Sequence, residues 1–367
     1  GGGATMLAKW ERVGMKGDGP GPRSSHSVSW ASGKLWVVGG EAKAREPAGM
    51  DVFTLELDAP APPAGLSGTW RKYEAGSDAL PPRNAHAQAA IGPCLYVFGG
   101  RRGLAMEEAA LNDLWRFDTA RGQWEGPLEA ARGEPPAPRS YHTACAAAGK
   151  LYIFGGCGEE GRLADLHEYD PEARAWRPLP SPPDLAGRGG ATLEPVAGEG
   201  ALLLFSGYCG GESRDTLTFD LASETWTVRH GPECSHCPCS DLEPRSVCAS
   251  LVAPCTSHRE HAEHGKPCTG PTPCSVLVFG GEIAPSERGH EGAGSFAGDL
   301  VAFDGEGHLI PVETRGPGPQ PRGWAAMSAM EAGPHEVRGV LFGGLAGDDR
   351  SPTRLEDVWV LTVSVDA

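Results

Sequence analysis

The chain has 367 residues, 53 glycines, 33 prolines and a formal net charge of −16. That charge argues against nucleic acid as the main partner, because phosphate binding needs a basic face. No run of about 18 apolar residues is present to span a bilayer, and Met6-Leu7-Ala8-Lys9-Trp10 lacks a secretory apolar region, so a cytoplasmic location is expected.

Residues 1–5 read as a cloning scar or tail, and one domain is expected over 6–367. Within it, an apolar strand ending in Gly-Gly or Ser-Gly recurs six times: Leu35–Gly40, Leu95–Gly100, Leu151–Gly156, Leu202–Gly207, Val276–Gly281 and Val340–Gly344. An arginine precedes each: Arg23, Arg83, Arg139, Arg188, Arg245 and Arg322. A third strand follows, as in Asp113–Asp118 and Asp165–Asp170, and a tryptophan then opens a fourth (Trp70, Trp124, Trp176, Trp226). The diglycines let the chain turn where it crowds a central axis. A four-stranded unit cannot bury both faces alone, so the units must close into a ring.

The spacings of 60, 56, 51, 74 and 63 residues between diglycines suit kelch repeats, at about 50 residues, better than WD40 repeats at about 40–45. The expected fold is therefore all-β, a six-bladed kelch β-propeller. The sixth unit ends at Val358-Trp-Val-Leu361 with no tryptophan strand after it, while Trp10-Glu-Arg-Val13 stands unassigned at the other end. Residues near 8–14 are thus expected to complete the last blade and lock the ring.

The fifth unit carries an insertion, about residues 254–273, rich in His, Cys and Pro. Of the eleven cysteines, Cys94, Cys145, Cys157 and Cys209 read as ordinary core thiols, and seven lie from Cys234 to Cys274. Three readings stand for this segment: a structural Zn²⁺ held by thiolates and imidazoles, a local disulfide such as Cys255–Cys274, or a loop of free thiols.

A kelch ring alone does not define a function. The most informative stretch is Gly280-Gly-Glu282-Ile-Ala-Pro-Ser286-Glu-Arg-Gly-His290-Glu-Gly-Ala-Gly294, directly after the inner strand of blade 5. A carboxylate and an imidazole on one short loop at the axis can give a divalent metal two ligands and leave positions open. The bland alternative is a turn hydrogen bond for Glu282 and loop packing for His290. No Gly-x-Ser-x-Gly elbow, P-loop or His-Glu-x-x-His is present.

This loop, with Trp10–His26, Phe98-Gly-Gly-Arg101, Gly187-Arg188-Gly-Gly190, Pro244-Arg-Ser-Val247 and Pro321-Arg-Gly-Trp324, resembles the plant specifier proteins, the kelch proteins of glucosinolate breakdown. The likeness covers the chain apart from the blade 5 insertion. It implies an Fe²⁺ site on a Glu-x-x-x-Asp-x-x-x-His loop, which matches Glu282 and His290 and finds Ser286 in the middle place. It also implies that Arg101, with Arg188 as a second candidate, holds the sulfate of a small anionic organosulfur substrate through paired hydrogen bonds. The expected activity is then that of an Fe²⁺-dependent lyase without net redox change. The competing expectation is a non-catalytic interaction module, with a protein partner on the loop face. Monomer and homodimer are both compatible with the sequence.

Overall fold

The computed structural model describes residues 5–49, 51–58, 65–74, 79–103, 109–196, 200–230, 242–253, 275–330 and 336–365. The Cys/His insertion and the Cys234–Cys239 segment lie outside the described residues, and so does their metal or disulfide state. Among the described residues, Cys94, Cys145, Cys157, Cys209 and Cys248 are free thiols.

Six sheets, each built on four antiparallel strands, surround one axis, and these strands follow the repeat read from the sequence. Blade 1 is Ser27–Ala31, Lys34–Val38, Val52–Leu57 and Ser67–Tyr73; blade 2 is Ala87–Ile91, Cys94–Gly100, Leu111–Asp118 and Gln123–Glu125. Blade 3 is Thr143–Ala147, Lys150–Cys157, Arg162–Asp170 and Ala175–Leu179; blade 4 is Thr192–Val196, Ala201–Tyr208, Glu212–Asp220 and Thr225–His230. Blade 5 is Ala249–Ala253, Ser275–Phe279, Leu300–Phe303 and Leu309–Ile310. Blade 6 is Ala326–Met330, Glu336–Ala346 and Thr353–Val365, completed by Met6–Arg12.

The closing strand runs two residues earlier than the sequence suggests. It pairs antiparallel with Thr353–Val365, Trp10 opposite Leu361. Trp10 also packs edge-on to Phe279 of blade 5, with ring centroids 5.1 Å apart. The outer tryptophans of other blades likewise pack on the second strand of the preceding blade: Trp70 on Phe342, Trp176 on Phe98, Trp226 on Phe154. Trp10 is thus an outer-strand tryptophan in register, although it comes from the opposite end of the chain.

The six arginines are the spokes of the ring, each at most 3% exposed. Five bind an Asp on the third strand of their own blade or, for Asp299, just before it: Arg83 to Asp113, Arg139 to Asp165, Arg188 to Asp215, Arg245 to Asp299 and Arg322 to Asp357. Every spoke also donates from Nη1 to a carbonyl of the diglycine turn, of Gly39, Gly99, Gly155, Ser206, Gly280 or Gly343. The backbone carbonyl of each arginine accepts from the second glycine of the preceding blade: Gly40 to Arg83, Gly100 to Arg139, Gly156 to Arg188, Gly207 to Arg245, Gly281 to Arg322 and Gly344 to Arg23. One residue therefore pins its own blade by its side chain and its neighbour by its backbone. Blade 1 differs: Asp51 is bonded to Lys72, and burial lowers the pKa of Arg23 to about 10 against the opposing charge of Asp51.

Two residues beyond each arginine, the chain takes a left-handed conformation at Ser25, Ala85, Tyr141, Gly190, Val247 and Trp324. Their backbones form a closed girdle: Ala85 N donates to Ser25, Tyr141 to Ala85, Gly190 to Tyr141, Val247 to Gly190, Trp324 to Val247 and Ser25 to Trp324. Side chains from blades 3 and 6 meet across it, Tyr141 against Trp324 at 5.6 Å between ring centroids. This constriction divides the axial channel into two chambers.

Candidate axial binding site

The chamber on the diglycine side has a volume of about 410 Å³, within the usual range for small-ligand sites. Its first ring of side chains is the residue after each diglycine: Glu41, Arg101, Cys157, Tyr208, Glu282 and Leu345. Each is bridged to the residue after a spoke arginine, for example Asn84 to Arg101 and Ser246 to Glu282. The sheet thus aims one side chain per blade at the axis. Tyr141 and Trp324 lie where the girdle closes this chamber.

The walls are electrically opposed. Blades 1 to 3 contribute Arg45, Arg101 and Arg162, a local reversal in a chain of charge −16. Arg101 Nε donates to Ser140 Oγ at 2.9 Å, which fixes the guanidinium. Arg45 Nε is buried without a hydrogen-bond partner among the described residues. Arg162 lies over the Tyr208 ring, 4.5 Å from its centroid. Cys157 stands between Arg101 and Arg162, and burial still raises its thiol pKa.

The two inward carboxylates at matching register have opposite surroundings. Glu41 is 4% exposed; it accepts from Arg354 Nη2 at 2.9 Å, Ser24 Oγ at 3.2 Å and the Arg45 backbone N–H at 2.7 Å. Glu282 is 8% exposed and has no hydrogen-bond donor among the described residues. Burial, reinforced by the charges of Glu212 and Asp349, raises its pKa to about 8. Glu212, at the start of the third strand of blade 4, is lifted to about 7 by burial, with Ser246 and Arg162 offsetting only part of it. A buried carboxylate beside other carboxylates, with no donor, is the environment that a cation would relieve.

The sequence-derived site residues separate into two groups. Arg101, Glu282 and Ser286 line the chamber. His290 belongs to a single turn of 3₁₀ helix, Gly289–Glu291, at the rim, and its side chain lies outside the described residues. Arg188 is 2% exposed and is a spoke, bound to Asp215 at 3.0 Å and Ser206 O at 3.1 Å. It is not placed to hold a ligand, because its donors are spent on the scaffold. The Ser286 hydroxyl donates to Asp349 Oδ1 and accepts from the Arg288 backbone N–H. Among the described residues, no three His, Cys, Asp or Glu side chains stand together as a metal-holding group.

Sequence reasoning missed Glu41, Arg45, Arg162, Tyr208, Glu212 and Asp349. The register offered a signal for two of them, since Glu41 and Tyr208 occupy the position of Arg101 and Glu282 after their own diglycines.

Ring, girdle and axial chamber define a six-bladed kelch propeller with a ligand-sized site on its diglycine face. A family model described as the KLHDC2/KLHL20/DRC7 Kelch-repeats domain matches residues 4–131 and 66–252, and the chain belongs to that kelch-repeat family. Among curated relatives, N-(sulfonatooxy)prop-2-enimidothioate sulfolyase of Thlaspi arvense is 26% identical, covering 88% of this chain and 88% of its own. Adagio-like protein 1 of Oryza sativa subsp. japonica is 26% identical over 97% of this chain, which spans 52% of that protein. The Rab9 effector protein with kelch motifs of Gallus gallus is 35% identical over 47% of this chain and 44% of its own. The solved structure titled "Structure of YjhT" superposes with a TM-score of 0.65 at 17% identity, covering 95% of this chain and 99% of that one; it bears on the fold alone.

Proposed function

We propose that the axial chamber binds a small anionic organosulfur compound beside a ferrous ion and assists its breakdown by loss of sulfate. The observation that carries this reading is the contrast between Glu41, saturated by donors, and Glu282, also buried and without a donor among the described residues. Glu282 and His290 would hold the ion. A buried carboxylate and an imidazole are donor types that suit Fe²⁺ and leave positions open. When bound, the ion supplies a Lewis acid for the substrate sulfur.

The remaining work falls to the chain itself. Arg101, oriented by Ser140, binds the sulfate by charge-assisted hydrogen bonds, with Arg45 close by on the same wall. The Tyr141–Trp324 pair offers an apolar face to the organic part. The girdle closes the chamber from below and so limits water at the reacting group. The name of the Thlaspi relative, a sulfolyase of a sulfonatooxy imidothioate, supports a substrate that carries a sulfate and a sulfur on one C=N unit. The sulfate suits the arginine wall, and the sulfur would face a cation held at Glu282.

The test is to incubate N-(sulfonatooxy) imidothioates with wild type, Arg101→Ala or His290→Ala under anaerobic Fe²⁺. Products differing from the protein-free mixture only with wild type are expected. A mixture unchanged by wild type would overturn the reading. A second reading, a protein-binding propeller, is favoured by the similarity to the Rab9 effector and Adagio proteins. It expects a protein ligand on the loop face whose binding is indifferent to Fe²⁺ and to Glu282→Ala.

A further inference from the structure

The loop that carries Glu282 and His290 is held from outside its own blade. Asp349 lies on the hairpin of blade 6 between Glu336–Ala346 and Thr353–Val365. Its Oδ1 accepts from the Ser286 hydroxyl, and its Oδ2 accepts from the Glu287 backbone N–H at 3.2 Å. Its own carbonyl accepts from Arg288 Nη1 at 2.6 Å. Ser286 Oγ in turn accepts from the Arg288 backbone N–H at 2.9 Å. Three successive residues of the blade 5 loop are thereby fixed to one residue of blade 6. The 3₁₀ turn containing His290 begins at the next residue, Gly289.

The packing is tight where the turn ends. A Cβ at Gly292 would lie 2.1 Å from Ser286 Oγ and 2.2 Å from Asp349 Oδ1. The clamp and the end of the turn therefore occupy one compact knot. The Asp349 charge also reaches Glu282, so the clamp adds negative potential to the wall that faces the chamber.

We infer that Asp349 is a positioning residue for the axial site, holding Ser286 out of the ligand set and setting the spacing between Glu282 and the His290 turn. This inference rests on the proposed cation site at Glu282. Outer partners that orient metal ligands typically change metal affinity by about 10–100-fold when removed, because the ligands must otherwise be ordered at the moment of binding.

Fe²⁺ binding by anaerobic calorimetry, together with amide exchange of the metal-free protein, tests it on wild type, Asp349→Ala, Asp349→Asn and Ser286→Ala. Asp349→Ala is expected to weaken Fe²⁺ binding by about 10–100-fold and to speed exchange at the Glu287, Arg288 and Gly289 amides. Asp349→Asn, which still accepts from Ser286 but lacks the charge, is expected to fall between, with partial protection restored. Ser286→Ala should keep one equivalent of iron, because its hydroxyl is not a ligand. If wild type binds iron and both Asp349 variants bind it as tightly, the inference is overturned while the site stands. Loss of iron stoichiometry in Ser286→Ala would also overturn it. If wild type binds no iron, the proposed function fails; unchanged loop exchange in Asp349→Ala would then overturn the clamp as well.

Discussion

Replacing Trp10 with alanine should lower the unfolding midpoint by about 5 °C. The ring is 4% exposed and lies against Phe279 of the neighbouring blade. Burying about 200 Å² of indole at about 25 cal/mol/Å² is worth about 5 kcal/mol. Measured Trp→Ala changes in cores run at about 3–5 kcal/mol. With about 2.1 cal/mol/K of unfolding entropy per residue, a chain of 367 residues has about 0.8 kcal/mol/K, so 4 kcal/mol is about 5 °C. Calorimetric unfolding of Trp10→Ala beside Trp226→Ala provides the comparison, because Trp226 is only partly buried and should shift the midpoint by less. Deleting Met6–Arg12 should do more, leaving Thr353–Val365 as an open edge and producing aggregated protein. A shift under about 1 °C for Trp10→Ala, or a soluble, equally stable deletion, would refute ring closure by the N-terminal strand.

The spokes and the chamber make separable predictions. Asp215→Ala leaves the Arg188 guanidinium, 1% exposed, without its carboxylate and should cost about 3–5 kcal/mol in denaturant unfolding; Asp51→Ala should cost less, since Asp51 is bonded to Lys72. Arg101→Ala should weaken sulfate-ester binding by about 10–100-fold at equal stability, the share of a hydrogen bond to a charged group, whereas Arg188→Met should lose stability. The chamber beyond the girdle holds Glu194, which accepts from Ser250 Oγ at 2.6 Å and whose pKa burial raises to about 7. A raised carboxyl pKa means that the folded state favours the proton, so wild type loses stability as pH rises from about 4.5 to 7. Glu194→Gln should match wild type at pH 4 and exceed it by up to about 3 kcal/mol at pH 8; a difference independent of pH in parallel urea titrations would contradict this.

The blade count and the ring closure were readable in the sequence because both rest on local chemistry repeated six times. The second glycine of each pair is an instance: at Gly100, φ is +93° and a Cβ would stand 2.6 Å from the Asn84 carbonyl, so backbone crowding writes itself into residue type. The spokes were visible as a recurrent arginine, mostly in Pro-Arg, but the carboxylates they bind lie about 26–54 residues further on, and nothing in the spacing of Arg188 distinguished a scaffold guanidinium from an anion holder. The chamber was less legible still. Its first ring takes one residue from each blade, so Glu41 and Glu282 read alike along the chain and differ because Arg354, Ser24 and the Arg45 backbone donate to the first, whereas Glu212 and Asp349 lie near the second. Ser286 shows the same limit. As a sequence position it reads as a weak ligand, and its actual partner, Asp349, enters from another blade.

Anaerobic Fe²⁺ titration of wild type against Glu282→Ala tests the account most directly. The buried Glu282 carboxylate, without a donor among the described residues, predicts one equivalent of iron in wild type, displaced by chelator, and none in the variant, with both proteins equally folded by circular dichroism. Equal iron in the two, or none in either, would contradict the assignment of a cation site to this wall.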